Sequence, residues 1–230
     1  MSSALPKQAS NKPRNNSIFI MSRAWCHRAL LMIVVAMMAM TACHHVVEED
    51  GKVRDDLPLD SLRDGDLVFR EGIGPESEAV LQLDSAGGRY SHVGIVIGDN
   101  GKWKVVHAVP GESDDGIDRV KIEPIDTFFL STRAEHGAIM RLKGCDGATA
   151  SKAAQQAAHY AKQGVPFDYN YSWVDTTRLY CTQLIAVAYS SADVNILQHV
   201  TRMNDLNTKN IIIFPNDIAR NDSLQIIYKF

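Results

Sequence analysis

The residues able to do covalent chemistry are few, and the first is Cys181. Leu184, Ile185 and Ala188 follow it at the i, i+3, i+4, i+7 spacing of one helical face, which predicts a helix opening at the cysteine. Thr177 and Thr182 offer hydroxyls near that helix start. A thiol in a first helical turn meets unpaired backbone N–H groups and the positive end of the dipole, and both favour thiolate. Thiolate is the nucleophilic form, so Cys181 is a candidate for covalent catalysis. A small buried core cysteine fits the same pattern, and the helix alone leaves both readings open.

A nucleophile of this kind needs a base, and two histidines are placed to supply one. Tyr90 to Ile97 and Trp103 to Val109 read as strands joined at Asn100-Gly101, a pair that tolerates the positive φ of a tight hairpin turn. That turn pairs Asp99 with Lys102, Val96 with Val105 and Gly94 with His107. His92 and His107 then share one face as diagonal neighbours, about 7–8 Å apart at the backbone. Gly94 leaves room between them. A register slip of one residue would send them to opposite faces.

These groups must be held by a fold, and the remaining pattern describes one. Leu62 to Arg70 is a turn leading into a strand, and Glu76 to Leu83 a short helix. Arg119–Glu123 and Ala138–Leu142 read as strands with a short helix, Pro124–Phe129, between them. Ser151 to Lys162 is an alanine-rich helix with Ser151 as its cap and Gly164 as its stop. Gly164 to Trp173 is a loop dense in aromatics, read either as packing beneath the Cys181 helix or as a cleft wall. Ile211 to Ala219 reads as a strand running into a short helix, and Ser223–Tyr228 as a last strand.

The 230 residues divide unevenly in charge. Residues 1–42 hold five Lys and Arg and no Asp or Glu, so the remainder carries a net charge of about −8. No basic stripe is present, and nucleic acid is not expected as a partner. From Met21 the chain shows a basic segment (Arg23, His27, Arg28) and a short apolar run, Ala29–Met40. That run is too short to span a bilayer and suits a signal peptide. It ends in Met40-Thr41-Ala42-Cys43, which resembles a bacterial lipobox with Cys43 as the lipidated residue. Residues 1–42 therefore read as an N-terminal extension and signal peptide, 43–58 as a lipidated acidic tether, and 59–230 as one globular domain. His44 after the cysteine favours the outer membrane, facing the periplasm. His44, His45, Glu48 and Glu49 read as solvated tether. No cluster has zinc-like spacing, so neither metal nor cofactor is expected. Cys145 and Cys181 could form a disulfide in the periplasm, which would silence the nucleophile.

Taken in order, five segments resemble the circularly permuted NlpC-like papain-fold amidases, the YiiX/YaeF-like hydrolases. They are Arg63-Asp64-Gly65-Asp66-Leu67-Val68-Phe69, Ser91-His92-Val93-Gly94-Ile95-Val96, Phe167-Asp168-Tyr169-Asn170-Tyr171, Tyr180-Cys181-Thr182-Gln183-Leu184 and Pro215-Asn216-Asp217-Ile218. The resemblance implies an α+β fold, an antiparallel sheet or partial barrel packed on the helix that carries the cysteine. It implies Cys181 as nucleophile, His92 as base and His107 as the group orienting His92, a place where relatives often carry an acid or amide. Tyr169 or Tyr171 would join the Cys181 backbone N–H at the oxyanion.

Three functions follow as expectations. One is a cysteine amidase or peptidase cleaving an amide through a thioester acyl-enzyme, in cell-wall peptide (peptidoglycan) or a related acyl-amino-acid substrate. Another is a thioester acyltransferase or lipid amidase, which a hydrophobic acyl tunnel would mark. The third is a catalytically silent lipoprotein that binds an envelope ligand.

Overall fold

Runs of apolar residues with no strict alternation signal strands covered on both faces, and the central strands here are of that kind. A computed structural model describes residues 51–85, 87–99, 102–113, 115–200 and 211–230. The expected signal peptide and Cys43 lie outside the described residues. Six strands form one sheet: β1 (Leu67–Gly72), β2 (His92–Asp99), β3 (Lys102–Val109), β4 (Arg119–Pro124), β5 (Ala134–Leu142) and β6 (Leu224–Lys229). Their spatial order is β4-β3-β2-β1-β5-β6 and every pairing is antiparallel.

Helices flank this sheet: α1 (Pro75–Leu83), α2 (Ile125–Phe128), α3 (Gly147–Lys162), α4 (Cys181–Ser190) and α5 (Pro215–Ala219). Leu67, Phe69, Val93, Ile95 and Val106 pack with the buried sides of α3 and α4. Val68, Val96, Val105 and Ile139 point the other way, onto Phe128, Phe129, Leu57 and Leu62. The fold is thus α+β, with the cysteine-bearing helix against one sheet face.

Three local readings need correction. α3 begins at Gly147, four residues before Ser151, because Asp146 caps it by accepting from the Thr149 N–H at 2.8 Å. Ser151 lies inside the helix and donates to Asp64 instead. Residues 211–214 form no strand. Ile213 and Phe214 are buried, but Ile213 is met by side chains, its carbonyl accepting from Thr182 at 2.6 Å and its N–H donating to Tyr180. Nor do the threonine hydroxyls cap α4. Thr182 is spent on Ile213 and Thr177 on Asp175, and the N-cap position, Tyr180, makes no side-chain cap bond.

Cys145 and Cys181 are both free. Cys181 opens α4, whereas Cys145 lies near Tyr189, whose phenol senses its charge. Tyr189 is eight residues along the helix, about 12 Å from its start, and a disulfide needs α-carbons within about 7 Å.

Candidate active site

The register between β2 and β3, with Val96 opposite Val105 and Asp99 opposite Lys102, is the one expected from a two-residue turn at Asn100-Gly101. It brings Gly94 beside His107. A Cβ on Gly94 would lie 2.4 Å from Val105 Cγ1 and 3.3 Å from His107 Cβ, so only glycine fits without displacement. With that space kept open, His92 Nε2 meets His107 Nδ1 at 2.8 Å. Both rings are buried, and Phe128 stacks on His92 and sits edge-on to His107.

Behind the imidazoles stands a lattice of charges. His107 Nε2 faces Glu123 Oε1 at 3.0 Å; the contact is poorly aligned, yet neither atom has another partner. The second oxygen of Glu123 is held by Lys121 at 3.0 Å and Arg133 at 3.2 Å. Arg133 also reaches Glu112, which pairs with Arg70. Arg70 lies opposite His92 across β1 and β2 and donates to the Phe128 carbonyl. Burial alone would raise the Glu123 carboxyl, but contact with His107 and the nearby Lys121 ammonium hold it well below the usual carboxylate range. Burial also pushes both imidazoles below their ordinary value. At His92 the charges of Arg70, His107 and Lys121 add to that depression, whereas at His107 Glu123 opposes it.

At Cys181 burial is again the largest effect. It pushes the thiol up to about 11, although backbone N–H groups of Thr182, Val93 and Cys181 itself and the Arg70 charge all favour thiolate. Burial therefore works against the thiolate that the helix start favours, at a thiol that is only partly buried where it lines the cleft.

Cys181, His92 and Tyr171 line one cleft of about 670 Å³. Its apolar lining includes Ile73, Val80 and Leu83, from α1 and the residues before it, and Phe214. Its charged lining includes Arg70, Glu112 and Arg133. Tyr169 lines it too, but is 60 % exposed and donates its phenol proton to Asp118. Tyr171 is half-buried, and its phenol is raised by burial first and then by the charges of Cys181 and Asp168. Its backbone takes φ 50°, unusual for a side chain of this size. Asp168 fixes the loop by accepting from the Asn170 and Ser172 N–H groups, and Gln183 on α4 donates to the carbonyls of Ser172 and Asp175. The aromatic loop is thus both packing beneath α4 and a cleft wall.

Glu123, Lys121, Arg70, Glu112 and Arg133 were not among the residues expected at the site. The alternation of Arg119, Lys121 and Glu123 along β4 puts them on one face. What aligns that face with His107 is the β3–β4 register, set across a loop too long for its turn residues, Pro110-Gly111 and Asp115-Gly116, to specify a register.

Residues 61–228 match the family described as permuted papain-like amidase enzymes, YaeF/YiiX, C92 family. The chain belongs to that family. The histidine strand of this chain precedes the cysteine helix, and the two still meet at one cleft. The protein is also similar to the crystal structure of metalloprotein yiiX from Escherichia coli O157:H7. The identity is 22 % over 73 % of this chain and 97 % of that one, with a TM-score of 0.60, a likeness of fold. No curated protein matches the sequence.

That relative is a metalloprotein; among the described residues of this chain one cluster has the makings of a metal site. Ligand atoms of His107, Glu112 and Glu123 lie within 4.8 Å of one another. Arg70, Lys121 and Arg133 already sit on those two carboxylates. Three cations against two anions leave no negative field for a divalent ion, so this donor set does not fit one.

Proposed function

We propose that this permuted amidase cleaves an amide bond by nucleophilic attack of Cys181. The observation that carries the reading is that His92 Nε2 is occupied by His107, while Cys181 and His92 line the same cleft. His92 Nδ1 remains as the base. It takes the thiol proton as sulfur attacks the carbonyl carbon, and returns it to the amine as the C–N bond breaks. A thioester acyl-enzyme is left, which water hydrolyses with His92 again as base. The Cys181 N–H and the Tyr171 phenol are the donors assigned to the oxyanion.

For substrate we propose an acyl-amino-acid or cell-wall peptide amide. Ile73, Val80, Leu83 and Phe214 give the cleft an apolar lining, which favours a second reading with a long acyl group, as in a thioester acyltransferase or lipid amidase. The test is to incubate the protein with N-acyl-amino-acid amides of rising chain length and to look by intact mass for an adduct on Cys181. Expected is an acyl adduct absent in Cys181→Ala and not formed in His92→Ala. Failure of every chain length and of wall peptides to acylate Cys181 would remove the enzyme reading.

We further propose that the protein is lipid-anchored through Cys43 at the outer membrane, a reading supported by Met40-Thr41-Ala42-Cys43. Metabolic labelling with a fatty acid should mark the wild-type protein and not Cys43→Ser.

A further inference from the structure

We infer that Glu123 is a positioning residue that sets, through His107, which nitrogen of His92 carries the proton. A neutral imidazole has one donor and one acceptor nitrogen, and its partners decide which is which. His107 Nε2 and Glu123 Oε1 are both buried, 3.0 Å apart, and have no other partner. A carboxylate only accepts, so His107 must keep its proton on Nε2. Its Nδ1 is then an acceptor, 2.8 Å from His92 Nε2, which must in turn be the donor. The lone pair of His92 is left on Nδ1, the nitrogen free for the thiol. One carboxylate thus orients the base through two rings.

Lys121 and Arg133 make the assignment testable by a change of one atom. Both hold Glu123 Oε2, a position that must remain an acceptor. In Glu123→Gln the amide oxygen takes that position, and the NH2 group is turned toward His107 Nε2. Nε2 must then accept, His107 carries its proton on Nδ1, and His92 is forced to carry its own on Nδ1 as well. The base then points its proton at the thiol.

The rate consequence rests on the amidase reading; the tautomers do not. The experiment is 15N NMR of histidine-labelled full-length protein in detergent at pH 8, wild type and Glu123→Gln, with amide turnover measured in parallel. Expected in the wild type are Nε2 protons on both His92 and His107, and in Glu123→Gln a shift of both to Nδ1. Turnover should fall on the order of 10²- to 10⁴-fold in kcat with KM little changed, the scale of a mis-set base. An Nδ1 proton on wild-type His107 overturns the inference whatever the variant does, as does a Glu123→Gln protein that keeps wild-type tautomers. If the tautomers are as expected but no amide is turned over, the positioning role stands and the amidase reading fails.

Discussion

His92 and His107 lie fifteen residues apart in the chain and meet at 2.8 Å, Nε2 to Nδ1, across the gap that Gly94 leaves. The contact commits one nitrogen of each ring and leaves His92 a single free nitrogen. Neither ring is exposed, so water does not compete for these nitrogens.

The first prediction concerns the thiol. Burial pushes Cys181 up to about 11 and His92 below its ordinary value, so a neutral thiol–imidazole pair is the expected resting form. Alkylation of Cys181 by iodoacetamide should therefore keep rising through pH 8 to 10. A rate already level near pH 7 would indicate a preformed ion pair and contradict the neutral pair.

The second concerns stability against pH. Both imidazoles titrate below 6.5 when folded, so the unfolded chain binds more protons as pH drops through that window. Their contribution is fully present above pH 6.5 and is lost as pH falls through the folded values. Glu123, depressed below 4.5, acts in the same direction at lower pH. Melting temperature should decline from pH 7 to 4, and His92→Gln should flatten the upper part of that decline. An unchanged slope in the variant would show that His92 does not contribute.

The third is steric. Gly94→Ala puts a methyl into Val105 and against His107, which should cost about 1–3 kcal/mol by overpacking. It should also push the rings apart. Denaturant unfolding measures the first effect and loss of amide turnover the second.

The fourth separates the tyrosines. Tyr171→Phe should lower kcat by about 10²–10³-fold, the scale of one oxyanion donor. Tyr169→Phe, whose phenol is spent on Asp118, should leave kcat within a few-fold. Steady-state kinetics of the two variants decide it, and the reverse order would reassign the donor.

Much of this arrangement was legible because it is local. The Asn100-Gly101 turn specifies a register, and register alone put His92 and His107 on one face. The spacing of Leu184, Ile185 and Ala188 likewise marked α4. What stayed hidden depends on long-range placement. Glu123 reaches His107 only through a strand pairing closed by a long loop. Burial of the thiol, which opposes the local helix effect, likewise comes from segments distant in the chain. Asp146 outcompeted Ser151 as a cap because the alanine-rich run extends further toward the N-terminus than its apolar pattern suggests.

Asn216 on α5 is buried against the segment leading into β2: its side chain accepts from the Tyr90 N–H and donates to the Tyr90 carbonyl and to Asp84. Gly88 has no room for a Cβ beside it. Tyr90 and Asn216 are 126 residues apart in sequence, and Asp84 and Asn216 132. During synthesis the histidine strand thus emerges long before the residue that clamps its entrance, and Cys181 emerges between them. A nascent chain holds its base early and its nucleophile late. The clamp on the entrance to the histidine strand closes only when Asn216 is present, so β2 is seated at that end late in the growth of the chain.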